Sequence, residues 1–491
     1  MEASKLISFF HLFACNCGYH IYNMSSVLGK RKSYVGQSMS EILAEKKKKR
    51  LCTDKKVKKQ VEEGWQVLDL KTHTLEIAST PDRSQSFLKL NFSRFHNSYS
   101  DVFLSFFPVY FMMELQQRLS SKPMVYSTKK NMTITLRKVV DYYAARIYIQ
   151  GNCTPPGPKA KVKNPLRSAF QEATGFLTKY TIVGHDLPGV SFLEAMSSKF
   201  VMEPGDEREL SRAIQASIVQ FGETCSGDEK LVHLTTHGCP YLRMVNSKPD
   251  KIGTWEGQMA GQTELGAVIV YDLRSVTSTK SQGEKTPVSS LVKERLDVLK
   301  DHRDTILVQD SYYVDTTGRD LLNKAEQLHI SALNSKWHKE LLALVKGQLN
   351  DAGDLVLAYN EKTGESLCYF WDKILGKKFV LSNAFKLMKK KHQAGDNPLY
   401  DHYAVAYDMC DEWNQLLHGR RFPFRRSGSG HCLNSHHDQF YFDMVLLNSW
   451  QAWADANPQT SSDGKEILNT TSFSTFCKML SIELVRMHID L

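Results

Sequence analysis

No stretch of this 491-residue chain holds the roughly 18 consecutive apolar residues of a membrane span. The nearest candidate, FLSFFPVYFMMELQQRL, is shorter and broken by Pro108, so no spanning helix is expected. Cysteine is irregular: the ten cysteines show no framework beyond the Cys15/Cys17 pair, which fits a reducing compartment. Glycine never gathers into a Walker-type loop or a dinucleotide fingerprint, and GSG at 428–430 lacks the setting such motifs need. No zinc-metalloprotease motif and no internal repeat is visible. A nucleotide cofactor is therefore not expected.

What is present begins with length and charge. At 491 residues the chain is expected to form about two to four structural units, at least one with a sizeable core. The net charge of +10 comes from 63 basic and 53 acidic residues, and residues 29–60 hold twelve Lys/Arg against three Asp/Glu, so nearly all the excess sits in one tail. That tail includes Lys46, Lys47, Lys48, Lys49 and Arg50, the composition of a nuclear-import or polyanion-binding segment, or of a disordered solubilising arm. Upstream, LISFFHLFACNCGYHIYN is an apolar run without the flanks of a signal peptide. It reads as an extension of little structural value, with Met24 as an alternative start.

Residues 61–223 read as mixed and mostly helical, with LRKVVDYYAARIYIQ and ERELSRAIQASIVQFGE carrying apolar residues at helical spacing. NCTPPGPKAKVKNP is a loop or linker. Then the period changes. DEKLVHL, LGAVIVYDL and DTILVQ are short β-prone runs, a helix is expected from Thr317, and LVLAYNEKTGESLCYFWDKILGKKFVLSNAF is another β-like stretch. DHYAVAYDMCDEWNQLLHG and DQFYFDMVLLNSWQAWADA follow as long helices. The fold class is α/β.

Three carboxylates stand at telling places. Asp228 opens one apolar segment, Asp310 directly follows another, and Asp408 lies in a predicted helix with Asp411 and Glu412 at i+3 and i+4. Two-metal phosphoryl transfer needs carboxylates from separate elements to converge on two cations about 3.5–4 Å apart, and hard oxygen ligands suit Mg²⁺. Spacing alone does not single out this trio among 53 acidic residues, and Asp272, after VIVY, competes as a strand-end acid.

Over roughly residues 85–457 the chain resembles the piggyBac-type transposases. The family's first block is matched by Asp228, Glu229, Gly238, Tyr241, Lys248, Pro249, Lys251 and Gly253, and its second by Asp310, Tyr312, Tyr313 and Thr316. Trp371, Asp372 and Ser382 match the tryptophan-aspartate element and the strand ending in serine; Asp408 and Asp411, then Phe442 and Asn448, match the last block. The resemblance implies an RNase H-like core, residues 224–345 and 401–460, interrupted by a β-rich insertion at 346–400. Before the core stand a basic extension over 1–60 and a mostly helical, DNA-binding region over 61–223; a segment over 461–491 follows it. Asp228, Asp310 and Asp408 are implied as ligands of two Mg²⁺ or Mn²⁺ ions, with Asp411 as accessory acid. The implied activity is nuclear: cleavage at transposon ends, hairpin formation and insertion at TTAA, by a homodimer on double-stranded DNA. A domesticated, catalytically silent DNA-binding or chromatin protein is the alternative.

The chain departs from the family pattern at Gln309, Ser311, Tyr407 and Glu412, and LHISALNSKWHKELL keeps only Asn334 and Lys336 of a basic segment. Only Cys477 lies beyond Asn457, so the family's cysteine-rich zinc module is expected to be absent. Other candidate DNA contacts are Lys389, Lys390 and Lys391, which read equally as a solvated helix end, and Arg420, Arg421, Arg425 and Arg426 beside Phe422 and Phe424. His431, Cys432, His436 and His437 have zinc-ligand chemistry within what reads otherwise as an exposed loop. Trp371, Trp450 and Trp453 are expected to serve packing.

Overall fold

The structure is a computed structural model describing residues 55–78, 86–91, 98–121, 125–126, 130–131, 133–154, 164–199, 205–233, 243–244, 252–275, 287–349, 351–374, 376–418 and 433–488. The chain divides into two compact units, Met1–Lys55 and Lys56–Leu491, and the elements below all belong to the second.

That unit is built on a ten-stranded mixed sheet. In chain order its strands are β1 Trp65–Val67, β2 Thr224–His233, β3 Ile252–Gln262, β4 Val268–Ser275, β5 Ile306–Gln309, β6 His329–Ala332, β7 Leu355–Asn360, β8 Ser366–Asp372 and β9 Gly376–Ser382. They lie side by side as β1-β7-β8-β9-β6-β5-β2-β3-β4, with the short strand Arg243–Met244 added to β3. β2, β3 and β4 form an antiparallel meander, while β5 runs parallel to both β2 and β6. β9 then joins β6 antiparallel, and β8, β7 and β1 extend the sheet from there. β5 is buried at every position, the expected state of a parallel strand covered on both faces, and its ILVQ sequence supplies the apolar run this requires.

Helices pack on the sheet and on one another. Besides Val109–Ser120, Pro165–Leu177 and Val190–Lys199 they include, in chain order, α1 Tyr99–Phe106, α2 Leu136–Asn152, α3 Asp206–Gln215, α4 Pro287–Val298, α5 Thr316–Lys324, α6 Lys339–Val345, α7 Pro398–His418, α8 Leu433–Ala456 and α9 Phe473–Arg486. Two faces can be told apart on β2, where successive side chains point in opposite directions. Ser226 reaches the Tyr407 carbonyl of α7, whereas a side chain at Gly227 would meet Arg295 of α4. α8 is pinned to β4 by Asn448, whose amide donates to the Val270 carbonyl at 2.6 Å while its oxygen accepts from Val270 N and from Trp413 Nε1. Phe103 and Phe107 of α1, Tyr143 of α2 and Phe442 of α8 form a shared aromatic core with ring centroids 4.8–6.2 Å apart.

Two sequence expectations need correction here. The helical reading of 207–223 overruns: α3 stops at Gln215 and Ile218–Gln220 is a strand paired with Lys89–Leu90. β3, by contrast, carries no β-prone run in its sequence IGTWEGQMAGQ. Its glycines are there for close approach, since a Cβ on Gly257 would stand 2.8 Å from Leu291 of α4. Two of its buried polar side chains reach partners on the helices, Gln258 Oε1 accepting from Asn414 at 3.1 Å and Glu256 Oε2 from Tyr441 at 3.4 Å.

Candidate carboxylate site at the sheet end

The last paired residues of parallel strands β2 and β5 are Gly227 and Gln309, so Asp228 and Asp310 stand one residue further on two neighbouring strands. By strand alternation Asp228 shares the α7 side of β2 with Ser226. Both strand ends are held by Arg295, which is buried. Its guanidinium donates to the Asp228 carbonyl at 2.9 Å, the Gln258 carbonyl at 3.4 Å and Gln309 Oε1 at 3.2 Å, and it lies over the Tyr313 ring at 3.9 Å. A buried guanidinium needs such acceptors to offset lost hydration. Gln309, a departure from the family pattern, thereby has a structural role in this chain.

Beyond Asp310 the chain turns at once: Tyr313 N donates to the Asp310 carbonyl at 3.1 Å, Ser311 N donates to Asp310 Oδ1, and Asp315 caps α5 by accepting from Gly318 N at 2.8 Å. α7 crosses β2 and brings up Asp408. Asp310 and Asp408 line one cavity of about 700 Å³, together with Tyr400, Tyr403 and Tyr407 of α7 and Lys377 and Lys378 of β9. Desolvation first, and Asp411 second, raise the Asp408 carboxyl above its ordinary pKa. Tyr403 is raised too, by desolvation first and then by coupling to its neighbours Tyr407, Asp310 and Asp228, so its phenol stays protonated.

Asp228 does not line that cavity, and among the described residues no group of three or more His, Cys, Asp or Glu side chains is placed to hold a metal ion. The donor chemistry of Asp310 and Asp408 suits a hard divalent cation. Asp310 follows β5, Asp228 lies within β2 where its pairing with β5 ends, and Asp408 stands on α7; the three close no coordination sphere. The rival acid Asp272 lies inside β4, as Asp228 lies inside β2, but it is paired with Arg274 at 2.8 Å, and burial raises its pKa to about 6.

The basic candidates separate from this cavity. Lys336 is exposed beyond β6. Lys389, Lys390 and Lys391 follow the strand Phe385–Met388, not a helix, and Lys390 reaches Glu76 at 3.2 Å. Lys46–Arg50, Lys248, Lys251, Arg420, Arg421, Arg425, Arg426, Phe422, Phe424, His431 and Cys432 lie outside the described residues, as do the side chains of His436 and His437. Trp453 stacks on Tyr99 at 4.5 Å and Trp450 donates to the Thr471 carbonyl at 2.8 Å, both packing roles. Sequence reasoning missed Arg295, for which no motif speaks. It also missed the α7 tyrosines, although Tyr400, Tyr403 and Tyr407 follow a helical i, i+3, i+7 spacing.

No protein-family model matches the chain, and no curated protein matches it. Among solved structures, a piggyBac transposase synaptic complex with hairpin DNA, determined by cryo-EM, is similar at TM-score 0.60 and 12% identity, over 82% of each chain. At that identity the likeness concerns architecture, and it establishes that this chain shares its fold with a piggyBac transposase.

Proposed function

We propose that this protein is a DNA transposase, with Asp228, Asp310 and Asp408 as its acidic set and Asp411 as accessory acid. The observation that carries the reading is that Asp228 and Asp310 each stand one residue beyond the parallel pairing of β2 with β5, and that Asp310 shares a cavity with Asp408 of α7. The strand order β4-β3-β2-β5-β6, an antiparallel meander followed by two parallel strands, supports an RNase H-like core. Strands β7, β8 and β9, between β6 and α7, correspond to the β-rich insertion. Asp228, Asp310 and Asp408 would hold Mg²⁺ or Mn²⁺, which supplies activation of the attacking oxygen and charge stabilisation at the scissile phosphate. The chain's own contribution is to fix the strand ends through Arg295 and to keep Tyr403 as a neutral donor beside the acids. Nuclear action, a homodimer on paired transposon ends and TTAA preference belong to the same reading.

A second reading is favoured by a specific observation: no three-carboxylate group among the described residues stands ready for a cation. On that reading the chain binds DNA without cutting it. The deciding experiment incubates labelled DNA carrying the gene's own flanking repeats with wild type and Asp310→Asn protein, in Mg²⁺ or Mn²⁺. Cutting by the wild type that the substitution abolishes supports the transposase; binding by both with cutting by neither leaves the silent DNA-binding protein.

A further inference from the structure

The cavity beside Asp310 and Asp408 has three walls of different chemistry. Tyr400, Tyr403 and Tyr407 form a continuous aromatic stripe on α7, with ring centroids 6.0 Å and then 5.0 Å apart and the Tyr403–Tyr407 pair stacked at 20° between planes. Facing residues supply Lys346, Lys377 and Lys378, none of which pairs with a carboxylate among the described residues; Lys377 rests instead over the Trp371 ring at 4.1 Å. The carboxylates form the third wall.

Unpaired cations beside an aromatic stripe are the two elements of a single-strand site: charge for the phosphates, ring faces for the bases. At about 700 Å³ the cavity falls within the roughly 300–1,000 Å³ of sites that enclose a small molecule. That is room for an unpaired nucleotide. Its polarity also orients the guest, because phosphate is drawn to the lysines. We propose that this cavity seats an unpaired nucleotide of the DNA strand, its base against Tyr400 and Tyr407 and its phosphates on Lys377 and Lys378. The proposal rests on the DNA-handling reading above and names the form of DNA that enters the site.

The test titrates the full chain into a single-stranded oligonucleotide carrying one 2-aminopurine, and separately into the same sequence as a duplex. Stacking quenches the single-strand signal, and Tyr407→Leu weakens single-strand binding about tenfold, within the range for losing one base–aromatic stack. Tyr407→Phe, which keeps the ring, retains quenching and affinity. Lys377→Ala with Lys378→Ala lowers the slope of log K against log salt by about 1.4, the value for two phosphate contacts on a single strand. If Tyr407→Leu and wild type quench and bind the single strand alike while duplex binding is intact, the cavity is not the nucleotide's seat. Equal loss in Tyr407→Phe would overturn stacking as the cause. Failure of the wild type to bind either DNA would remove the DNA-handling reading itself.

Discussion

A second cavity, of about 830 Å³, lies beside the same β5–α5 turn, lined by residues that include Thr316, Arg319, Trp337 and Lys362. It matches the carboxylate cavity in size and in its mixture of charges, yet it closes its charges internally. Arg319 donates through Nε to Glu365 Oε1 at 2.7 Å and through Nη2 to Oε2, and Asn323 and Thr363 add hydrogen bonds to the same carboxylate. Burial pushes the Glu365 carboxyl up, but the Arg319 hydrogen bonds and charge prevail and hold it below its usual pKa. Lys59 reaches Glu340 at 3.2 Å, and Lys362 donates to the Glu62 carbonyl at 2.8 Å. In the carboxylate cavity Lys346, Lys377 and Lys378 pair with no carboxylate among the described residues. Closed pairs hold elements together; separated charges leave work for a ligand to do.

The largest effect that would break this contrast is on stability. Arg319→Leu strands a buried carboxylate and should cost about 3–5 kcal/mol, whereas Lys378→Ala in the open cavity should cost less than about 0.5 kcal/mol. Urea denaturation of the two variants checks this, and equal losses would refute the contrast.

Next comes acid. His329, buried in β6 near the Arg319–Glu365 pair, is pushed down to about 4 by desolvation; its Nδ1 meets Ser331 Oγ at 3.0 Å, and its Nε2 has no hydrogen-bond partner among the described residues. Between pH 6.5 and 4 the unfolded chain binds a proton that the folded chain refuses, so this contribution is full above about pH 6.5 and lost as pH falls towards 4. Burial raises Asp272 and Asp455 to about 6, which gives them the opposite sign over the same window. The His329 share is therefore isolated against a His329→Gln protein: wild type should lose roughly 2–3 kcal/mol more than the variant between pH 7.5 and 4.5.

The smallest effect belongs to the open cavity. Asp408 has its pKa raised, so its ionised form is disfavoured in the folded chain above that pKa. Asp408→Asn should leave stability at pH 7.5 unchanged or improved by about 0.5 kcal/mol or less after solvent screening, read as a small rise in Tm. A clear loss would mean that Asp408 holds structure and does not await a ligand.

Legibility in the sequence followed how each residue achieves its effect. β5 was readable because a strand covered on both faces must be apolar throughout, α2 because its apolar residues recur at helical spacing, and α7 and α8 because each is a long run without turn signals, the second heavily aromatic. β3 was not, because its place depends on glycines and bonded polar groups whose partners lie on α4, α7 and α8. Asp228, Asp310 and Asp408 could be named from motif order, but their arrangement could not, since the register of β2 on β5 is a long-range pairing. Arg295 was invisible for the same reason: its acceptors are two carbonyls and a glutamine from three separate strands.

Arg295 also bears on how such a protein can change over generations. It grips carbonyls and an amide, not the carboxylates, so replacing Asp228 or Asp310 leaves its grip on the strand ends intact. Scaffold and chemistry can thus be inherited separately, and a descendant can lose one while keeping the other. Gly227 has no such freedom, because any side chain there would meet the anchored guanidinium at 2.9 Å. In this site a position closed to replacement carries no functional group at all.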